Sequence, residues 1–456
     1  MYRFPALAFF ILIQIGLMGL GLITNPILTI GVPIIGLITT WLIYNPGASL
    51  LLLLLTGIIK GFIVNTIPVF EIIDYTLLFT ILVWIGLFRL YFIGQLNMPN
   101  WGKSIVIIYV LFCIMLFFSG FYTPSPIFGW QKIMRFAVFN STLFITPLII
   151  VKNINDSQKL LKWFRNIFVI VGAITIGYVL YFLAISNMVS FLIRFSIFGA
   201  NPIAFASLIA VIAGMIIVSL IHKNIKNWLI YLPILVFLLL TIIMTGSRGP
   251  IVSLILGSLI YLLIFDRHYK NRIVMLVAVM IVSVLLIFIL LPDNFTSRFL
   301  NYTTGDLVIQ RDGVKSVSTL AMRWVYWKLS ISEWLKSFRT IVVGIGAGGF
   351  SSLYILRDYR AYPHNMFIEI LLEFGLIGFS LIMLLFSKIG QLLIRNVKYS
   401  EVSMYWTIAA LISFFAGQFS GNIADHRNMW MFLSLALVSS NISFNNMQHG
   451  DDSNIK

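Results

Sequence analysis

Apolar runs of about 17–25 residues, the length that crosses a bilayer, recur along almost the whole chain and are separated by short polar segments. Spans can be drawn at roughly 6–23, 26–44, 47–64, 70–93, 103–120, 135–151, 163–186, 200–221, 228–244, 250–266, 273–291, 365–387, 402–421 and 427–441. The first three and the last are short or interrupted by Gly and Pro, so the pattern predicts about 12–14 transmembrane helices; no repeat of fixed period is visible. One stretch breaks the rhythm. Residues 292–364 open polar, with Asn294, Arg298, Asp306, Arg311 and Asp312. Trp324, Trp327, Ile331, Trp334, Leu335 and Phe338 then recur at steps of three and four, which is helical spacing, with Lys328, Glu333 and Lys336 on the other side. Such a helix either lies in the membrane interface or packs over the loop's own core. The expected organisation is N-terminal spans over 1–291, a large loop over 292–364, C-terminal spans over 365–441 and a polar tail over 442–456.

Composition agrees with an all-α polytopic membrane protein. The chain has 456 residues, 60% hydrophobic and 10% charged. A soluble globular chain carries about 25% charged residues, so a soluble fold is excluded. The start, Met1-Tyr2-Arg3 followed by an apolar run to Thr24, has no small-residue cleavage signal after it and reads as a retained first span. The lone Cys113 cannot form an internal disulfide, and no Cys/His spacing points to zinc.

The net charge of +16 reads as orientation rather than nucleic-acid binding. With the N-terminus inside, short inner segments hold fifteen Lys and Arg, among them Lys159, Lys223, Arg267 and Lys398. Short outer segments hold five: Lys132, Arg135, Arg194, Arg248 and Arg427. This bias places the 292–364 loop outside.

Against that bias, several polar groups gather at the outer side. Arg194 precedes "FGANP", Arg248 lies in "TGSRGP", Arg323 starts the amphipathic helix, His364-Asn365 opens the next span, and Asp425-His426-Arg427 joins the last two. An arginine at a span end can simply anchor to lipid phosphate. Together these groups suit transfer from a phosphate or pyrophosphate. Arginines hold phosphate oxygens bidentately and stabilise a leaving pyrophosphate, and a histidine can take a proton from an attacking hydroxyl. No acidic cluster on the outer side calls for a divalent metal. Gly344, Gly346 and Gly349 fit G-x-G-x-x-G, with Glu369 about 20 residues on. A dinucleotide turn needs a β-α-β unit, whereas here an amphipathic helix precedes and Tyr362-Pro363-His364-Asn365 leads into a span. The glycines therefore read as a turn between Arg323 and His364, either a tight turn alone or one whose N–H groups meet phosphate or sugar oxygens. The candidate site is His364, Arg248 and Arg323 for chemistry, and Arg194, Asn365, Gly344, Gly346 and Arg427 for substrate.

Three stretches, "TGSRGPIVSLILG" (245–257), "AMRWVYWKLSISEWLKSFRTIVVGIGAGGF" (321–350) and "HNMFIEILLEFGLIG" (364–378), resemble in this order the O-antigen ligase and polymerase superfamily. Arg323 and Trp327 take the places of the family's outer-loop Arg-x-x-x-Trp. The resemblance implies a glycosyltransferase of the bacterial cytoplasmic membrane that takes a glycan from undecaprenyl pyrophosphate on the extracytoplasmic side. It implies transfer to an acceptor hydroxyl with inversion, without metal, nucleotide or other cofactor. Arg248 and Arg323 would hold the pyrophosphate, with Arg194 as a further donor contact, and His364 would be the base. The implied partners are the lipid-linked oligosaccharide, membrane lipid, a flippase and a chain-length regulator, and no nucleic acid. The acceptor separates a repeat-unit polymerase, which extends a second lipid-linked glycan, from a ligase, which uses lipid A-core. The Ile-, Phe-, Asn- and Lys-rich composition of an AT-rich genome leans towards polymerase. A lipid-linked sugar transporter is the remaining alternative, but it would show inverted repeats and midplane charges.

Overall fold

The computed structural model describes residues 26–96, 98–185, 201–222, 228–265, 308–310, 313–315, 319–354 and 356–453. The expected spans at 6–23 and 273–291 and the polar opening of the long loop lie outside these residues. The described chain is helical apart from a two-stranded ribbon, β1 (Val308–Gln310) against β2 (Gly313–Lys315), so the all-α expectation holds. Seven described helices are long and apolar enough to cross a membrane, or eight if one bent pair counts as a single span. Others from the hydropathy count are apolar but shorter, such as Ile230–Met244 and Glu401–Ala416.

The chain divides into two compact units, 1–53 with 74–96, and 54–73 with 97–456. In the first, α1 (Pro26–Tyr44) meets α2 (Pro46–Leu54) at a bend of 106°, because Pro46 cannot continue the preceding helix. α4 (Tyr75–Phe92) packs on α1, with Arg89 4.0 Å above the Tyr44 ring.

The second unit begins with α3 (Thr56–Thr66) and continues with α5 (Asn100–Ser119), α6 (Pro126–Ile150), α7 (Ile154–Ile185), α8 (Pro202–His222), α9 (Trp228–Met244) and α10 (Arg248–Phe265). After the ribbon come α11 (Thr319–Trp334), α12 (Phe338–Val343), α13 (Phe350–Tyr354), α14 (Met366–Asn396), α15 (Glu401–Ala416) and α16 (Arg427–Ser453). Sequence periodicity explains which faces are buried. In α5, Ile105, Ile108, Phe112 and Leu116 point inward while Ile107, Leu111, Ile114 and Phe118 form an exposed apolar stripe. Such a stripe belongs against lipid tails, since water would penalise it. Inside, the ring centres of Tyr109 and Trp430 lie 5.3 Å apart and each lies within 5.7 Å of those of Phe136 and Phe144, which ties α5, α6 and α16 together. Gly214 in α8 and Gly257 in α10 leave room for Ile412, so α8, α10 and α15 approach closely, as small residues allow in membranes.

One expectation is corrected here. Lys132 and Arg135, counted as outer-loop cations, lie inside α6, which starts at Pro126 rather than near 135. Lys132 is buried between Glu369 and Glu373 of α14, and bonds to both. A hydropathy window cannot see a charge that is neutralised by another helix.

Candidate functional site

The glycine-rich stretch is the hinge on which the site is built. α14 is broken at Gly375 (φ 58°), so the carbonyls of Leu372 and Glu373 lose their helical partners. Ile345 N–H and Gly346 N–H donate to them at 2.9 Å each. Gly344 (φ 73°) and Gly375 lie back to back: a Cβ on either would strike the other segment's backbone. The amide of Gly344 donates to Thr340 O at 3.0 Å and closes α12. The amides of Gly344 and Gly346, proposed from sequence as substrate contacts, are thus spent on the fold. Their position as a turn between Arg323 and His364 is what the structure supplies.

α11 carries Arg323 and Trp327 one turn apart, hence on one face. Trp327 Nε1–H donates to Pro363 O at 2.9 Å and so holds the backbone next to His364 against this helix. Tyr326 stacks on the His364 ring (6.0 Å, 16°), and Tyr362 meets it edge-on at 4.6 Å. The two sequence readings of this helix divide its apolar residues between them. Trp327 and Trp334 turn inward, the latter donating to Ile341 O at 3.2 Å, whereas Trp324 and Ile331 are exposed as an interfacial helix requires, as are Leu335 and Phe338 beyond its end.

His364 sits in the left-handed region, φ 59°, an uncommon place for a residue with a side chain. Its Nδ1 is enclosed and has no hydrogen-bond partner. The imidazole pKa is pushed down to about 4, by burial and then by the Arg323 charge. Arg323 in turn is lowered, by burial and then by the neighbouring charge of Arg248. These effects place Arg323 within electrostatic reach of both Arg248 and His364, although the three come from separate stretches of sequence. Arg248 is the first residue of α10, where free N–H groups and the helix dipole favour an anion. Asn365 caps α14, its Oδ1 accepting from Phe367 N at 3.0 Å and Ile368 N at 3.1 Å. That engagement aims the segment bearing His364. Arg427 opens α16, with its guanidinium 5.2 Å from the Phe139 ring and Nη1 3.4 Å from Thr56 Oγ1. It lines a cavity of about 300 Å³ that Tyr362 also lines. Arg194 lies outside the described residues. Among the described residues no three His, Cys, Asp or Glu side chains gather as a metal set.

Sequence reasoning missed three features. One is the Lys132–Glu369–Glu373 cluster, in which Glu369 also accepts from Ile423 N at 3.0 Å. Two carboxylates one turn apart in an apolar span demand a buried cation, and that spacing was the available signal. The second is the Arg360–Asp425 ion pair at 2.7 Å. The third is the aromatic clamp of Tyr326 and Tyr362, for which the sequence carries no signal.

Among comparisons with known proteins, residues 233–383 match the family model described as O-antigen ligase. The matched region contains Arg248, Arg323, Gly344, Gly346, His364 and Asn365, and bears out the family resemblance. No curated protein matches the chain.

Proposed function

We propose that this multi-pass chain of the O-antigen ligase and polymerase superfamily is a polysaccharide repeat-unit polymerase of the bacterial cytoplasmic membrane. It transfers a glycan from undecaprenyl pyrophosphate to a hydroxyl of a second lipid-linked glycan on the extracytoplasmic side. The observation that carries this reading is the convergence of Arg248, Arg323 and His364. Beyond the effect of burial, Arg248 lowers the proton affinity of Arg323, and Arg323 that of His364, as groups awaiting an anion do. A pyrophosphate bound between them cancels that repulsion and raises the basicity of His364 at the moment a base is needed. The acceptor oxygen then attacks the anomeric carbon from the face opposite the pyrophosphate. The carbon–oxygen bond to phosphate breaks, His364 takes the hydroxyl proton, and Arg248 and Arg323 stabilise the departing diphosphate. A single displacement inverts the anomeric centre. The charge complement comes from arginine, so the step is written without metal or nucleotide.

The family match is shared by a second reading, a ligase that delivers the glycan to lipid A-core. Deletion of the gene separates the two. Loss of the polymerase leaves single repeats on the lipid carrier, whereas loss of the ligase leaves finished polymer undelivered. His364→Ala or Arg248→Ala protein that is present in the membrane and still makes full-length polysaccharide would exclude the site.

A further inference from the structure

A cavity of about 300 Å³ opens beside the catalytic cluster, where α8 and α16 begin. Tyr362 belongs to both places: it lines the cavity and its ring touches that of His364. Among the described residues, the charged side chains on the wall are Arg360, Asp425 and Arg427. Arg360 and Asp425 are bonded to each other at 2.7 Å. Burial works to raise the Asp425 carboxyl, but Arg360 and then the Asn422 N–H outweigh it and hold the pKa below its usual value, so the carboxylate is charged at neutral pH. His426 also lines the wall; burial, opposed by Asp425, brings it down to about 4 and leaves it neutral. Two cations against one anion give the described residues of the wall a net charge of +1. The N-termini of α8 (at Pro202) and α16 (at Arg427) add partial positive charge. Among the other polar lining residues, Ser413, Ser420 and Asn428 offer hydroxyl and amide groups to hydroxyls of a ligand.

We infer that this cavity is a subsite for a sugar bearing a carboxylate, with Arg427 as its principal cation. The size is that of a small-molecule site. A single surplus positive charge matches a carboxylate, and the Asp425 carboxylate disfavours the more highly charged pyrophosphate that Arg248 and Arg323 await. Hydroxyl and amide groups then serve the sugar ring, and its reactive end lies towards His364 across Tyr362. The inference rests on the reading of the chain as a glycan transferase and adds the chemical class of one sugar.

Equilibrium binding tests it without requiring turnover. Full-length protein in nanodiscs is titrated with methyl glucuronide, methyl glucoside and inorganic pyrophosphate. Methyl glucuronide is expected to bind more tightly than methyl glucoside. Arg427→Gln is expected to weaken it roughly ten-fold or more, the loss of one charge-assisted bond, and Arg427→Lys to restore part. Arg248→Gln should leave it unchanged and weaken pyrophosphate instead. Asp425→Asn should raise the affinity of the cavity for pyrophosphate. Equal binding of the two glycosides, an Arg427→Gln protein of normal size-exclusion profile that binds methyl glucuronide as before, or pyrophosphate bound through Arg427 in the unaltered protein would overturn the inference. A protein that passes these tests yet transfers no glycan fails only as a transferase.

Discussion

At the scale of single residues, the protonation of His364 is decided by burial and then by Arg323. A histidine with folded pKa about 4 is a neutral acceptor throughout the physiological range. The acid limb of kcat/KM, which reports the free enzyme, is expected near pH 4, and that of kcat at higher pH, because bound pyrophosphate offsets Arg323. An acid limb of kcat/KM near the ordinary histidine value would refute the assignment. The same depressed pKa has a stability consequence. The contribution of neutral His364 is full above the unfolded value near 6.5 and is lost as pH falls through about 4, so the melting temperature of the purified protein should drop across that window. Arg323 makes a second case. Lysine keeps the charge but not the planar fork, so Arg323→Lys is expected to lower kcat by roughly 100-fold, as loss of an oxyanion donor does. Unchanged turnover in reconstituted vesicles would show that Arg323 acts only as a lipid anchor.

At the scale of elements, the site depends on a broken helix. α14 breaks at Gly375, the loop carrying Gly344 and Gly346 fills the break, and Lys132 of α6 holds the Glu369–Glu373 turn just before it. Lys132→Met leaves two carboxylates buried without their cation and should cost about 3–5 kcal/mol. The triple replacement Lys132→Met, Glu369→Gln, Glu373→Gln removes the charges together and should regain most of that loss. Thermal unfolding of the detergent-purified proteins measures both, and a single variant as stable as the unaltered protein would dismiss the cluster as a structural tie. Trp327 works at this scale as well: its bond to Pro363 O explains why a tryptophan stands four residues after Arg323.

At the scale of the whole molecule, the Lys and Arg bias predicts which side the site faces. Lys132 and Arg135 leave the outer loops because they sit within a span. In a Cys113→Ala background, Leu356→Cys, 82% exposed in the loop before His364, is expected to react with a membrane-impermeant maleimide in intact cells. Lys398→Cys, after α14, should react only once the membrane is opened. Labelling with the sides reversed would invert the topology and remove the extracytoplasmic reading of the site.

How much of this protein was legible in its sequence follows from the range of the forces involved. Span length, helical periodicity and the inner excess of Lys and Arg are local properties that a bilayer reads directly, so the membrane fold and the helix with Arg323 and Trp327 could be written from the chain alone. Arg248, Arg323 and His364 were legible as candidates because a charge or imidazole at a span end is costly and therefore conspicuous. What the glycines do was not legible, since G-x-G has several uses and only the broken α14 supplies the carbonyls that consume their amides. Nor were the identity of Lys132 as the cation that the Glu369–Glu373 spacing demands, the Arg360–Asp425 bridge and the cavity at the starts of α8 and α16. Each joins residues from distant spans, and pairing between helices is decided by packing in three dimensions, which leaves no period in the chain.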